Sequence, residues 1–120
     1  MAGIHKLITN NKMAKDRFFG IFNIEYHDMS YIEILTLVRS YIHKGHKLVT
    51  HPLSGSVKPK ETPYKSVVIS AGAQGLDFQS LAIIEESIAA CGKFKDREIP
   101  ESALLDFMEI DCGLLQGPIY

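Results

Sequence analysis

Ser30-Tyr31-Ile32-Glu33-Ile34-Leu35-Thr36-Leu37-Val38-Arg39-Ser40-Tyr41-Ile42-His43-Lys44-Gly45 decides how the rest of the chain is read. Ser30 and Glu33 have capping-box spacing, in which each side chain satisfies an otherwise unpaired backbone N–H at the helix start. Tyr31, Ile34, Leu35, Val38 and Ile42 then recur at helical spacing and form one stripe for burial. Gly45 follows where a helix needs a residue that tolerates positive φ, so the helix stops there. Strands flank it on both sides. Ile21 to Tyr26 alternates β-branched and aromatic residues with polar ones, and Lys47-Leu48-Val49-Thr50 reads as a third strand. A helix bracketed by strands argues for βαβ units and a largely parallel sheet.

Outward from this unit the other elements fall into place. Ile4 to Thr9 is a short apolar run ending in Asn10-Asn11, which suits a buried strand and a turn. Lys12 to Phe19 makes a short helix stopped near Gly20. Ser66-Val67-Val68-Ile69-Ser70 is a fourth strand, closed by Ala71-Gly72. From Asp77 to Phe94, Leu81, Ile84, Ile88 and Cys91 share one helix face, with Glu85 and Glu86 turned away. Pro100 opens a last helix whose stripe is Leu105, Met108, Cys112 and Leu115. The expected fold is a single α/β domain over residues 1–120, a small Rossmann-like or flavodoxin-like three-layer arrangement with about four mainly parallel strands. Right-handed crossovers would put the first strand between the second and third, so that their carboxyl ends meet at a topological switch point. The direction of the fourth strand stays open, because no crossover helix precedes it.

Composition bounds the function classes. The 120 residues are 46% hydrophobic and 22% charged, which is ordinary globular composition. No apolar stretch approaches the ~18 residues of a membrane span. The start of the chain lacks a signal-peptide core, and the two cysteines, Cys91 and Cys112, both fall on helix stripes. The expectation is a cytoplasmic protein with reduced, buried thiols and no membrane association. Net charge is −1 but unevenly spread. Residues 1–65 carry ten Lys and Arg against five Asp and Glu, while residues 66–120 carry three against nine. A basic half favours anionic ligands through its local potential, although opposite solvated faces of one domain would show the same imbalance.

The most distinctive chemistry lies between His51 and Lys65. Ser54-Gly55-Ser56 offers backbone N–H groups for an anion nest, with two hydroxyls beside it. Lys58, Lys60 and Lys65 add positive charge, Tyr64 adds a flat ring with a polar end, and three prolines stiffen the chain. With Thr9, Asn10 and Asn11 from the first strand's end, the candidate ligand-binding set is Thr9, Asn10, Asn11, His51, Ser54, Gly55, Ser56, Lys58, Tyr64 and Lys65. The ligand classes are a phosphate, a carboxylate or a nucleotide; the alternative is a loop that only connects. There is no P-loop and no dinucleotide fingerprint. His43, His46 and His51 span different elements and no carboxylate or cysteine completes a zinc pattern, so no metal and no cofactor is expected. His51 with Ser54 or Ser56 imitates a base and nucleophile, but no orienting acid is identifiable. Basic residues do not interleave with aromatics on a strand, which argues against nucleic acid as a partner. Nothing in the sequence sets the oligomeric state.

The run His43-Lys44-Gly45-His46-Lys47-Leu48-Val49-Thr50-His51-Pro52-Leu53-Ser54-Gly55-Ser56-Val57-Lys58-Pro59, followed by Glu61-Thr62-Pro63-Tyr64-Lys65-Ser66, resembles the GrdX family. Leu7-Ile8-Thr9-Asn10-Asn11 resembles that family's opening strand and turn. The resemblance implies a protein encoded beside the glycine, sarcosine and betaine reductase components of amino-acid-fermenting anaerobes. It does not imply the selenoprotein, the substrate-binding subunit or the acetyl-phosphate-forming subunit, and it carries over no catalytic residues. The reading is then a non-catalytic accessory or regulatory protein of the reductase system, binding an anionic metabolite or a reductase subunit through the 51–65 loop. Its alternatives are a small enzyme acting on a phosphorylated or carboxylate metabolite at the strand carboxyl ends, and a purely structural interaction protein.

Overall fold

Strand and helix alternate through the first half of the chain in the computed structural model, which describes residues 4–53, 62–93 and 98–115. The elements are β1 (Lys6–Thr9), α1 (Lys12–Arg17), β2 (Asn23–Tyr26), α2 (Tyr31–His43), β3 (Ser66–Ile69), α3 (Phe78–Gly92) and α4 (Leu104–Leu115), with a 3-10 turn at Glu101–Ala103. Among the described residues the sheet has three strands in the order β2-β1-β3. β1 pairs parallel with β2, with Leu7 opposite Ile24, and antiparallel with β3, with Leu7 opposite Val68.

Helix α2 has the expected form. Ser30 and Glu33 make the reciprocal capping bonds, and the buried residues of α2 are Tyr31, Ile34, Leu35, Val38 and Ile42. Gly45 adopts a φ of 107°, and its carbonyl accepts the Gln74 N–H. Here glycine is required twice over. A Cβ at this position would lie 2.8 Å from the Gly75 backbone nitrogen, in a conformation that L side chains rarely adopt.

The sheet departs from expectation at its third position. Four mainly parallel strands were expected, but one of the two pairs is antiparallel, and Lys47-Leu48-Val49-Thr50 makes only an isolated bridge, Leu48 to Ile69. The place beside β1 belongs to Ser66–Ile69. The reason is burial. A central strand covered on both faces must be apolar on both, and Ser66, Val67, Val68 and Ile69 are all buried. Lys47 and Val49 are exposed, so that segment suits only an edge. Val49 and Thr50 both donate to the Val68 carbonyl, which breaks the regular ladder. The open question of direction is also settled, since β3 runs antiparallel to both of its neighbours.

Two apolar clusters cover the two faces of the sheet and make three layers. Ile8, Val67 and Ile69 pack with α2 and with Ile84 and Cys91 of α3 on one face. Leu7 and Val68 pack with Ala14, Phe18, Phe22 and with Cys112 and Leu115 of α4 on the other. The last helix is offset from its expected stripe. Pro100 caps the 3-10 turn rather than opening α4, Leu105 is 66% exposed, and Asp111 takes a buried position instead.

Candidate functional site

β3 runs antiparallel to β1, and the 47–50 segment runs antiparallel to β3. The carboxyl ends of β1 and of the 47–50 segment therefore lie at one sheet edge, together with the start of β3. Both ends of the 51–65 connection return there. Asn10 organises this edge. Its Oδ1 accepts the Lys65 N–H at 2.8 Å, while its Nδ2 donates to the Met29 and Pro63 carbonyls, each at 2.9 Å. One buried amide thus ties the β1 turn to the entry of α2 and to the exit of the loop. On the loop's entry side, the Lys65 ammonium donates to the Pro52 carbonyl.

Beneath the edge lies a chain of buried polar groups. Ser66 Oγ donates to Asp111 Oδ2 at 2.6 Å, and Asn11 Nδ2 donates to the same oxygen at 3.0 Å. Thr9 Oγ1 lies 2.6 Å from Ser66 Oγ and accepts the Asn11 N–H at 2.9 Å. A hydroxyl has a single proton, so with Ser66 donating to Asp111, Thr9 donates to Ser66. Asn11 also caps α1 through Met13 N–H. The carboxylate of α4 is in this way bonded to residues of β1, its turn and β3.

Two buried ionisable groups line the same small voids at this place. Lys65 is 6% exposed and Asp111 4%. Burial pushes the Lys65 ammonium down from the ordinary lysine range, against the opposing pull of Asp111. Burial pushes the Asp111 carboxyl up, against hydrogen bonds from Ser66 and Asn11 and the charge of Lys65. The Lys65 nitrogen also sits 5.3 Å from the Tyr31 ring centroid, a cation–π distance. Two small voids are each lined by both Lys65 and Asp111.

Above this layer opens a cavity of about 630 Å³, walled by Asn10, by Asp28 to Tyr31, by Glu33, by Thr62 to Tyr64, and by Ile99 and Leu104. That volume falls within the range of small-molecule sites. Its described charged groups are Asp28 and Glu33. The Ser30 backbone N–H holds Glu33 below the usual carboxylate range. Tyr64 is half-buried, and burial raises its phenol. Tyr31, Thr62 and Tyr64 line both this cavity and one of the voids around Lys65, so these three side chains divide the two.

Of the residues singled out from the sequence, Thr9, Asn10, Asn11, Tyr64 and Lys65 converge at this edge. His51 lies beside them, exposed, with its Nδ1 accepting the Leu53 N–H and its side chain lining a void with Lys65 and Asp111. Ser54, Gly55, Ser56 and Lys58 lie outside the described residues. Asp111, Ser66, Thr62 and Tyr31 were not singled out. Asp111 had a signal: it stands three residues after Met108 and four before Leu115, a carboxylate on a stripe otherwise made of core residues. Among the described residues, no group of three His, Cys, Asp or Glu is placed to hold a metal ion, and no helix is long and apolar enough to cross a membrane.

A three-layer α/β domain with a small-molecule-sized cavity at its strand ends, underlain by a buried lysine and aspartate, is the class that fold and site define. Within that class the chain belongs to the GrdX-like protein family, whose model matches residues 6–120. No curated protein and no solved structure matches the chain.

Proposed function

We propose that this chain is a non-catalytic accessory protein of a glycine, sarcosine or betaine reductase system, and that it binds a small metabolite in the cavity at the strand ends. The observation that carries the reading is the cavity itself: about 630 Å³, walled on one side by the exit of the 51–65 loop and anchored by Asn10. Membership of the GrdX-like family supports the reductase context. An accessory role is favoured over an enzyme because the serine and threonine hydroxyls of Ser30, Ser66 and Thr9 are already committed. Ser30 caps α2, and Ser66 and Thr9 bond Asp111 and each other.

A thermal-shift screen of phosphate, acetyl phosphate, nucleotides, glycine, sarcosine and betaine tests the binding. A ligand present at 100 times its Kd stabilises by about 2.7 kcal/mol, which raises the Tm of a domain this size by several degrees. Tyr64→Ala, in the cavity wall, should abolish that rise. Affinity capture with the tagged chain from a lysate expressing the reductase subunits tests the association. A flat screen together with no captured reductase subunit overturns the proposal.

A further inference from the structure

We propose that the cavity at the strand ends takes a small organic cation, an amine or a quaternary ammonium compound. This rests on the cavity reading above and names its ligand class. At about 630 Å³ the cavity is far larger than a metal ion fills, and Met29, Pro63, Ile99 and Leu104 give it an apolar wall. The charge in that wall is negative. Among the described residues it holds Asp28 and Glu33, both exposed, and no lysine or arginine. The nearby Lys65 does not line it, and the Lys65 ammonium is bonded to the Pro52 carbonyl.

Hydrogen bonding in the wall divides in the same sense. An anion needs donors, and several of the wall's donors are spent. Asn10 Nδ2 donates to the Met29 and Pro63 carbonyls, the Ser30 N–H to Glu33 Oε1, and the Tyr64 N–H to Thr62 Oγ1. The capping box thus puts a carboxylate of the chain itself at the N-terminus of α2, the place an anionic ligand would use. Acceptors are left over. Glu33 Oε2 and both Asp28 carboxylate oxygens have no hydrogen-bond or ion-pair partner among the described residues. The aromatic rings give an independent observation. Tyr26, Tyr31 and Tyr41 each carry a lysine ammonium over the ring, 5.0–5.4 Å from the centroid. Tyr64, in the cavity wall, carries none among the described residues. An open ring and two unpaired carboxylates lining one space attract an ammonium group, through the ring quadrupole and the local negative potential.

The test is calorimetry of the full chain with choline and with dimethylbutanol, its uncharged carbon isostere, alongside acetate and phosphate. Choline is expected to bind at least about 5-fold more tightly than dimethylbutanol at low salt, and the gap to narrow as salt rises. Asp28→Asn and Glu33→Gln should each weaken choline by about 3–5-fold and leave dimethylbutanol unchanged. Glutamine retains the capping box, so the start of α2 is kept. Tyr64→Leu should weaken choline more than dimethylbutanol. Equal affinity for the two isosteres, or a choline advantage that survives Asp28→Asn combined with Glu33→Gln, overturns the proposal. Acetate or phosphate binding more tightly than choline also overturns it, while the cavity reading stands. If choline does not bind, the cation proposal falls, and the cavity reading falls with it only when the thermal-shift screen is flat as well.

Discussion

Asn10→Ala is the substitution that most directly questions the architecture of the cavity. Asn10 is 7% exposed and its side chain makes three hydrogen bonds, to the Lys65 N–H and to the Met29 and Pro63 carbonyls. Each is worth about 1 kcal/mol net, and stranding the buried Lys65 N–H adds a desolvation cost of about 1–3 kcal/mol. The expected loss is therefore about 4–6 kcal/mol, a large fraction of the roughly 5–15 kcal/mol that holds a domain of this size. Asn10→Asp separates the roles of the two atoms. It keeps the acceptor for Lys65 but turns the donor into a second acceptor facing two carbonyls, so it should be at least as damaging as alanine. Urea denaturation of the three proteins, fitted with a common slope, measures the differences. A loss below about 1 kcal/mol for both variants would show that water replaces the amide freely, and that Asn10 does not fix the cavity wall.

Three further outcomes follow from other parts of the molecule. Burial opposes ionisation of Glu25, but hydrogen bonds from Tyr41, His27 and Lys6 hold its carboxyl at about 2, well below 4.5; the folded state therefore gains stability above pH 4.5 and loses it as pH falls towards 2. That fall is worth at most ~3 kcal/mol, and with 21% of the side chain exposed we expect ~1–2 kcal/mol, so the urea-midpoint gap between wild type and Glu25→Gln should close between pH 4.5 and 2. Gly45→Ala should cost about 2 kcal/mol or more, read as a lower urea midpoint, because its φ of 107° and the Gly75 backbone at 2.8 Å leave no room for a methyl group. Cys91 and Cys112 are fully buried, with the Cys112 thiol pushed up to about 11 by burial, so neither should react with iodoacetamide in native buffer and both should react in urea, as counted by mass.

The parts of the fold that local rules determine were legible. The α2 stripe and cap follow from side-chain spacing alone, and the stop at Gly45 follows from backbone sterics. Strand position was not legible, because it is decided by competition between segments. Val67-Val68-Ile69 displaces Lys47–Thr50 from the place beside β1 only because it can be buried on both faces. The β1 turn was expected to meet the entry of the 51–65 loop, His51 to Ser56; among the described residues Asn10 instead bonds its exit, at Pro63 and Lys65. Swapping a parallel strand for two antiparallel steps leaves the loop ends at the same edge. The α4 offset escaped the sequence because Leu105 and Asp111 reverse the usual preference: the leucine faces water and the carboxylate faces the sheet. Hydrophobic periodicity places Asp111 on the stripe, but it does not show that the burial is compensated by Asn11 and Ser66, residues 100 and 45 positions away.

That compensation explains why α4 sits where it does. Cys112 and Leu115 give α4 an apolar footing against Leu7 and Val68, but apolar contact is non-directional and tolerates a helix shifted along its axis. Asp111 does not tolerate such a shift. Displacing α4 by one residue, about 1.5 Å along its axis, would stretch the 2.6 Å and 3.0 Å bonds to Ser66 and Asn11 and leave a buried carboxylate unmatched. The Asn11 amide, which also bonds the Met108 carbonyl, extends the constraint to the helix backbone. The polar chain therefore specifies one seating of α4 among several that hydrophobic burial alone would accept. The same seating brings Asp111 opposite Lys65 and places Leu104 in the cavity wall. Core register and site geometry are fixed by the same few hydrogen bonds.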